Sequence, residues 1–262
     1  MPRRVPVQAG FQSELVTEVL DCGVGDRVVL PFENRKEAGG LLAAALANRR
    51  IPANAAVLAL TRGGVPVGAI VAERLRLPLD VIVARKIRVP WQPELAMGAI
   101  AGTTRLLNQR MIAELFISGD ELERIVSREE REMRRREELY RGGIPAIDIH
   151  GKAVILVDDG LATGSTMAVA VRHARNLRAG KVIAGVPVGS TGACAHLRRE
   201  ADEVICLATP VDFIAVGAWY RDFDQVSDQE VEQLLGESHR RFETLPALAG
   251  RRGSAGNSDA GV

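Results

Sequence analysis

Aromatic residues are scarce in this chain. Phe, Trp and Tyr make up 4% of its 262 residues, against 47% for the whole hydrophobic set. The core is therefore expected to be aliphatic and alanine-rich, and a basic-aromatic surface for reading RNA is lacking. Cysteine is equally sparse. Cys22, Cys194 and Cys206 form no C-x-x-C pair, which leaves reduced thiols and a cytoplasmic protein as the simple reading. Excess charge is missing too: the formal net charge is +1, which argues against a general nucleic-acid or membrane-surface binder. No apolar run reaches transmembrane length. Arg3 and Arg4 are not followed by an apolar stretch, so no signal peptide is expected. The histidines (His150, His173, His196, His239) show no metal-ligand spacing. There is no G-x-x-x-x-G-K-[ST] loop and no G-x-G-x-x-G after a strand, so neither a Walker A site nor a dinucleotide fold is indicated.

What is present centres on Val154-Ile-Leu-Val-Asp-Asp-Gly-Leu-Ala-Thr-Gly-Ser-Thr166. Four apolar β-formers predict a strand buried on both faces, central in a parallel sheet. Asp158 and Asp159 stand where that strand ends. A turn of small and hydroxyl residues follows, then a helix from Met167 to Leu177 whose apolar face is Met167, Val171, Ala174 and Leu177. Strand, small-residue loop and helix N-terminus form a phosphate-binding geometry, because free amides and the positive helix end converge on an anion. Gly160 and Gly164 are expected to allow the sharp turn and a close backbone approach. Thr163, Ser165 and Thr166 add hydroxyl donors. Two adjacent carboxylates would repel a phosphate, so Asp158 and Asp159 suit vicinal hydroxyls or a divalent metal. The ligand implied is a sugar phosphate. The plain alternative is an ordinary strand–helix turn.

The pattern VILVDDGLATGST resembles the PRPP-binding signature of type I phosphoribosyltransferases, matching it at every diagnostic position. The wider resemblance runs from about Arg35 to Leu235 and is nearest to a bacterial group whose acceptor is not established. It implies a doubly wound, mainly parallel α/β sheet of about five strands with a small hood. It also implies that Ala162 to Thr166 hold the 5-phosphate of PRPP. Asp158 and Asp159 would hold the ribose hydroxyls, directly or through Mg²⁺.

A second strand–glycine–helix junction lies upstream. Ala55 to Leu60 reads as a buried strand, Thr61-Arg62-Gly63-Gly64 as a second anion nest, and Val65 to Leu75 as a helix. In the family the corresponding loop binds pyrophosphate, with Arg62 adding fixed charge; the alternative is a structural turn. Leu79 to Ala84 predicts a third strand. Arg85, Lys86 and Arg88 follow on a segment with Pro90 and Pro93, read as a mobile flap over the pyrophosphate, with Lys86 the first choice of flap cation. Glu94 to Ile100 reads as a short return strand. Arg35 to Asn48 predicts a helix with Leu41, Leu42, Ala45 and Leu46 inward.

Ser118 and Glu121 form a capping box opening a helix to about Arg141, stopped by Gly142-Gly143. Glu130–Arg134, Glu132–Arg136 and Glu137–Arg141 are supportive pairs. This long charged helix is expected on the surface; its stripe of Leu122, Ile125, Val126, Met133 and Tyr140 is a candidate homodimer contact. Lys181 to Val188 and Glu203 to Leu207 are further strands, separated by a helix from Cys194 to Ala201. Pro210 to Phe223 holds four of the ten aromatic residues. By the resemblance it is a hood, within about 209–235, where Phe213, Trp219 or Tyr220 stacks on the acceptor ring; the alternative is a satellite core. Ser227 and Glu230 cap a last helix to Leu235. Residues 1–30, with an amphipathic piece from Ser13 to Leu20 and a strand from Arg27 to Leu30, form an extension. Residues 31–245 form the domain, and 246–262 are expected to be a disordered tail.

The function expected is transfer of 5-phosphoribosyl from PRPP to a nitrogenous acceptor, with Mg²⁺. The rival is a PRPP-binding regulator without turnover, and a weaker one is a hydrolase of a phosphorylated sugar.

Overall fold

The computed structural model describes residues 15–16 and 28–244. Short strands β1 (Leu15–Val16) and β2 (Val29–Leu30) pair antiparallel. The rest of the expected piece from Ser13 to Leu20, Cys22, Arg27 and the tail from 246 lie outside the described residues. Val28, Leu30 and Phe32 are buried in the same core as the first helices.

Helix α1 (Arg35–Ala47) starts at Asn34, whose side-chain oxygen accepts from the amides of Lys36 and Glu37. That satisfies two of the donors a helix start leaves orphaned. Strand β3 (Ala56–Leu60) follows, then α2 (Gly64–Leu75) and β4 (Leu79–Ile82). The chain then leaves the main sheet. β5 (Ala84–Val89), β6 (Gln92–Ala101) and β7 (Thr104–Leu107) make a separate three-stranded antiparallel sheet. The expected flap is thus a β-hairpin turning at Pro90-Trp91, and its return strand is longer than predicted. Alternation explains it: Ile87 and Val89 are buried while Lys86 and Arg88 are exposed, which is the period of a half-buried strand. The charges and prolines masked that period.

Helices α3 (Gln109–Glu114) and α4 (Gly119–Arg141) lead back. Ser118 caps α4 by accepting from the Glu121 amide at 3.2 Å. Ile125, Val126, Met133 and Tyr140 are buried, so the apolar stripe packs inward on this chain. Of the three expected intrahelical pairs, Glu132–Arg136 forms at 2.7 Å. Glu130 instead bonds Arg105 of β7, and Arg141 bonds Asp80 of β4. Partners on other elements win because their geometry is set by packing, which a one-helix reading cannot see.

Then come β8 (Ala153–Val157), α5 (Ser165–Asn176), β9 (Lys181–Val188), α6 (Thr191–Leu197) and β10 (Glu203–Ala208). Every residue of β8 is buried, as a strand covered on both faces requires. On α5, Met167, Val171 and Ala174 are buried, but Leu177 is 47% exposed, because the helix has ended there. Helix α6 begins three residues before the prediction. Its true cap is Ser190, which accepts from the Ala193 amide at 3.2 Å. A 3-10 turn, Val216–Trp219, and helix α7 (Asp228–Thr244) close the described chain. α7 runs nine residues past the expected end at Leu235, because His239 and its neighbours still pack on β4, with His239 Nε2 3.1 Å from the Leu79 carbonyl.

The main sheet has the order β10-β9-β8-β3-β4, all parallel. One core lies between the sheet and α1, α2, α4 and α7; the other lies under α5 and α6. From β3 the chain moves outward to β4, and from β8 it moves outward the opposite way. The order therefore reverses between β3 and β8. Open α/β sheets bind ligands at that reversal, beyond the carboxyl ends of the strands.

Candidate active site

The two loops at this reversal are those the sequence marks as candidate anion nests. They touch. A Cβ built on Gly63 would collide with the Asp159 carboxylate, and one on Gly64 would lie 2.6 Å from the Val157 carbonyl oxygen and 2.8 Å from the Asp158 Cα. Gly64 is needed for space against backbone, while a side chain at Gly63 would push the Asp159 carboxylate aside. Gly63 has φ −59°, an ordinary right-handed value, so what the position demands is space and not an unusual backbone angle. Of the pair in the other loop, Gly164 has φ +78° and makes the turn. Gly160 is instead required because the hood residue Val216 packs where its Cβ would be.

The hydroxyl-rich loop runs straight into a helix start. Gly164 closes the turn, α5 starts at Ser165, and the loop is braced by the Ser190 hydroxyl donating to the Ala162 carbonyl at 2.8 Å. Thr163 Oγ1 and Ser165 Oγ lie 3.3 Å apart. Ala162 and Thr163 are exposed, and Ser165 and Thr166 half-buried. The Thr163 and Ser165 hydroxyls thus stand together at the start of α5.

Asp158 and Asp159 follow β8 directly. The Asp159 amide donates to its neighbour's carboxylate, Asp158 Oδ1, at 2.9 Å. Burial, and then the charge of Asp159, push the Asp158 carboxyl well above the ordinary carboxylate range. Burial also raises Asp159, against the pull of Arg35. That arginine, in the first turn of α1, donates from Nε to Asp159 Oδ2 at 2.9 Å. Its guanidinium lies 3.8 Å over the Phe223 ring and also bonds the Asp224 carbonyl at 2.8 Å. Arg35 therefore joins the acid pair to the hood.

The hood aromatics divide. Tyr220 is buried; its ring packs against Phe32 and Phe223 at 5.4 and 5.0 Å, and its hydroxyl donates to the Asp159 carbonyl at 2.6 Å. It braces the acid pair. Phe213 and Trp219 are half-buried and pack against the main core. Val211 and Ile214 are almost fully exposed.

At the other nest, Arg62 reaches Asp228 at the start of α7, at 3.4 Å. The Tyr140 hydroxyl of α4 donates to the same Asp228 oxygen at 2.6 Å. Tyr140's bond holds the Asp228 carboxyl below its usual range, with the charges of Arg62 and Arg136 adding to the effect. A cavity of about 710 Å³ opens here, which is ample for a small ligand. It is lined by Arg62, by Arg85, Lys86 and Arg88 of β5, by Arg128, Glu129 and Arg136 of α4, and by Thr166 and Gln225. Arg85 is locked to Glu129 at 2.6 Å. The flap therefore meets the cavity through a strand pinned to α4.

Sequence reasoning missed Arg35, Tyr140, Asp228 and the α4 residues. Only Arg35 had a local signal, the Asn34 cap that places it in a first turn. The others act across elements and leave no local pattern. Among the described residues no cluster of three or more His, Cys, Asp or Glu side chains forms a metal cage. Magnesium does not need one. It is commonly held through one or two carboxylates and substrate phosphates, and Asp158 and Asp159 fit that donor set. Among the described residues, no helix is long and apolar enough to cross a membrane.

Fold and site together define an α/β protein with two glycine-containing loops flanking two carboxylates at a sheet reversal. The chain belongs to the phosphoribosyl transferase domain family, whose model matches residues 35–221. Two curated proteins of Mycobacterium tuberculosis, from strains CDC 1551 / Oshkosh and H37Rv, are named as phosphoribosyl transferases. Each is 43% identical over 218 residues, covering 83% of this chain and 49% of its own length. The chain thus spans about half the length of the curated relatives it matches. The crystal structure of TT1426 from Thermus thermophilus superposes with a TM-score of 0.68 at 42% identity, over 79% of this chain and 98% of that one.

Proposed function

We propose that the protein transfers 5-phosphoribosyl from PRPP to a nitrogenous acceptor and releases pyrophosphate. The observation that carries this reading is the contact between the nests. Gly63 and Gly64 pack directly on Asp159 and Asp158, so one ligand with anions at both ends and hydroxyls between them spans the reversal.

On this reading the loop from Ala162 to Thr166 holds the 5-phosphate through amides and hydroxyls. Asp158 and Asp159 orient the ribose hydroxyls, and their position is set by Arg35 and Tyr220. Arg62, Gly63 and Gly64 take the pyrophosphate, with Lys86 and Arg88 over it. Magnesium, when bound, would neutralise part of the pyrophosphate charge. The C1–O bond breaks through an oxocarbenium-like state, and the acceptor nitrogen forms the new bond from the hood side, beside Phe213 and Trp219. Positioning and charge stabilisation supply the acceleration, with no covalent enzyme intermediate.

The test replaces Asp158 and Asp159 together by Asn. PRPP-dependent pyrophosphate release, assayed over a panel of bases and amides, should vanish while circular dichroism stays native. Unchanged release in the variant refutes the assignment. Tight PRPP binding by the wild type, with no release for any acceptor, turns the reading to a PRPP-binding regulator.

A further inference from the structure

The pyrophosphate end of the cavity carries more positive charge than a pyrophosphate needs. Six cations line it against one carboxylate, Glu129. Three of the six are paired with carboxylates: Arg62 with Asp228 at 3.4 Å, Arg85 with Glu129 at 2.6 Å and Arg136 with Glu132 at 2.7 Å. Arg128 shares Glu129 at 3.3 Å with its side chain 67% exposed. Among the described residues Lys86 and Arg88 have no carboxylate within ion-pair distance. On the reading above, Arg62 and the flap cations suffice for the leaving group, since bound magnesium cancels part of its charge. Arg128 and Arg136 remain without a task.

Arg136 is half-buried, and Arg128, though exposed, lines the same cavity. Arg136 lies one turn before Tyr140, which bonds the same Asp228 that holds Arg62. Arg136 and Arg62 therefore both lie near Asp228 and line one cavity. Arg128 lies two turns further back, beside the Glu129 that holds Arg85. Eight helical residues span about 12 Å, so Arg136 and Arg128, which line the same cavity as Arg62, reach along α4 well past a two-phosphate group. Guanidinium groups bind phosphate oxygens in pairs of hydrogen bonds, which suits a chain of phosphates.

We propose that the α4 wall, through Arg128 and Arg136, is a further anion subsite adjoining the pyrophosphate position, and that it takes a linear phosphate chain longer than pyrophosphate. Such a ligand occupies the pyrophosphate nest and the α4 wall together, and so competes with PRPP. This rests on the pyrophosphate assignment above for the competition, but not for the binding.

The experiment titrates the full chain with pyrophosphate and with tripolyphosphate by calorimetry, at fixed ionic strength, without magnesium and again at fixed free magnesium. The expected result is tripolyphosphate binding about tenfold tighter, the gain of one or two charge-assisted bonds. Arg128→Gln and Arg136→Gln, singly and together, should bring the affinity ratio toward one. Arg110→Gln removes an exposed charge paired with Glu114 on α3, far along the chain from these two arginines, and should leave the ratio unchanged. The single Arg128→Gln variant serves if the double variant folds poorly. A wild-type ratio near one overturns the proposal, as does a ratio that survives both substitutions or falls equally with Arg110→Gln. A separate PRPP titration keeps the two readings apart. PRPP binding with a ratio near one sinks only this subsite; a collapsing ratio without any PRPP binding sinks only the transferase.

Discussion

Replacing Gly64 by Ala tests whether the two nests must touch. The added methyl would sit 2.6 Å from the Val157 carbonyl oxygen and 2.8 Å from the Asp158 Cα. The first of these is about 0.8 Å short of ordinary contact, and both neighbours are backbone at the carboxyl end of the central strand, so neither moves without disturbing the sheet. The loop carrying Arg62 and Gly63 must therefore retreat from the acid pair. Overpacking of this kind costs about 1–3 kcal/mol. A displacement of that order between groups gripping one ligand is worth about 100-fold in turnover. Thermal unfolding should show the stability loss, and calorimetry with magnesium and PRPP should show affinity reduced by at least about tenfold. Gly119→Ala is the control, since nothing lies within 4 Å of a methyl there. If Gly64→Ala bound PRPP within about twofold of wild type, the idea that contact between the loops shapes the site would be wrong.

Two further outcomes are expected. Asp80 is buried on β4, accepting from Arg141 Nε at 3.0 Å and the Ile147 amide at 2.9 Å. Asp80→Ala should leave Arg141 without its partner and lower stability by about 3 kcal/mol in urea unfolding, loosening the end of α4 that carries Tyr140. The acid pair sets a pH dependence. Both carboxyls are raised, first by burial, so the ligand-free fold retains protons that the unfolded chain gives up. Their contribution to stability is greatest at low pH and is lost as pH rises through the raised folded values. A cation or ribose held by the ionised pair must displace those protons, so PRPP affinity should rise over the same range, with proton release seen as buffer-dependent heat. Asp158→Asn should flatten both slopes; a slope of opposite sign would contradict the burial argument.

Much of the site was legible because it is local. The run Val154 to Val157 is continuous and apolar, which only a doubly covered strand tolerates, and Asp158 to Thr166 follow it without a gap. The same holds for Ala56 to Leu60 and Arg62-Gly63-Gly64. The flap and the hood were less legible. Lys86-Ile87-Arg88-Val89 alternates as a strand does, but its charges and the following prolines read as loop. Tyr220 carries an aromatic ring that suits stacking on a ligand, and nothing nearby in sequence shows that Phe32, 188 positions earlier, takes one face of it.

The chain's own residue order determined the elements, the two nests and the acid pair, since each depends on neighbours within a few positions and on their periodicity. Tertiary structure alone decided that Arg35 would grip Asp159, that Asp228 and Tyr140 would hold Arg62, and that α4 would turn its arginines to a cavity. Those pairings join residues from 88 to 166 positions apart, and the free energy that selects them comes from packing faces no single element possesses.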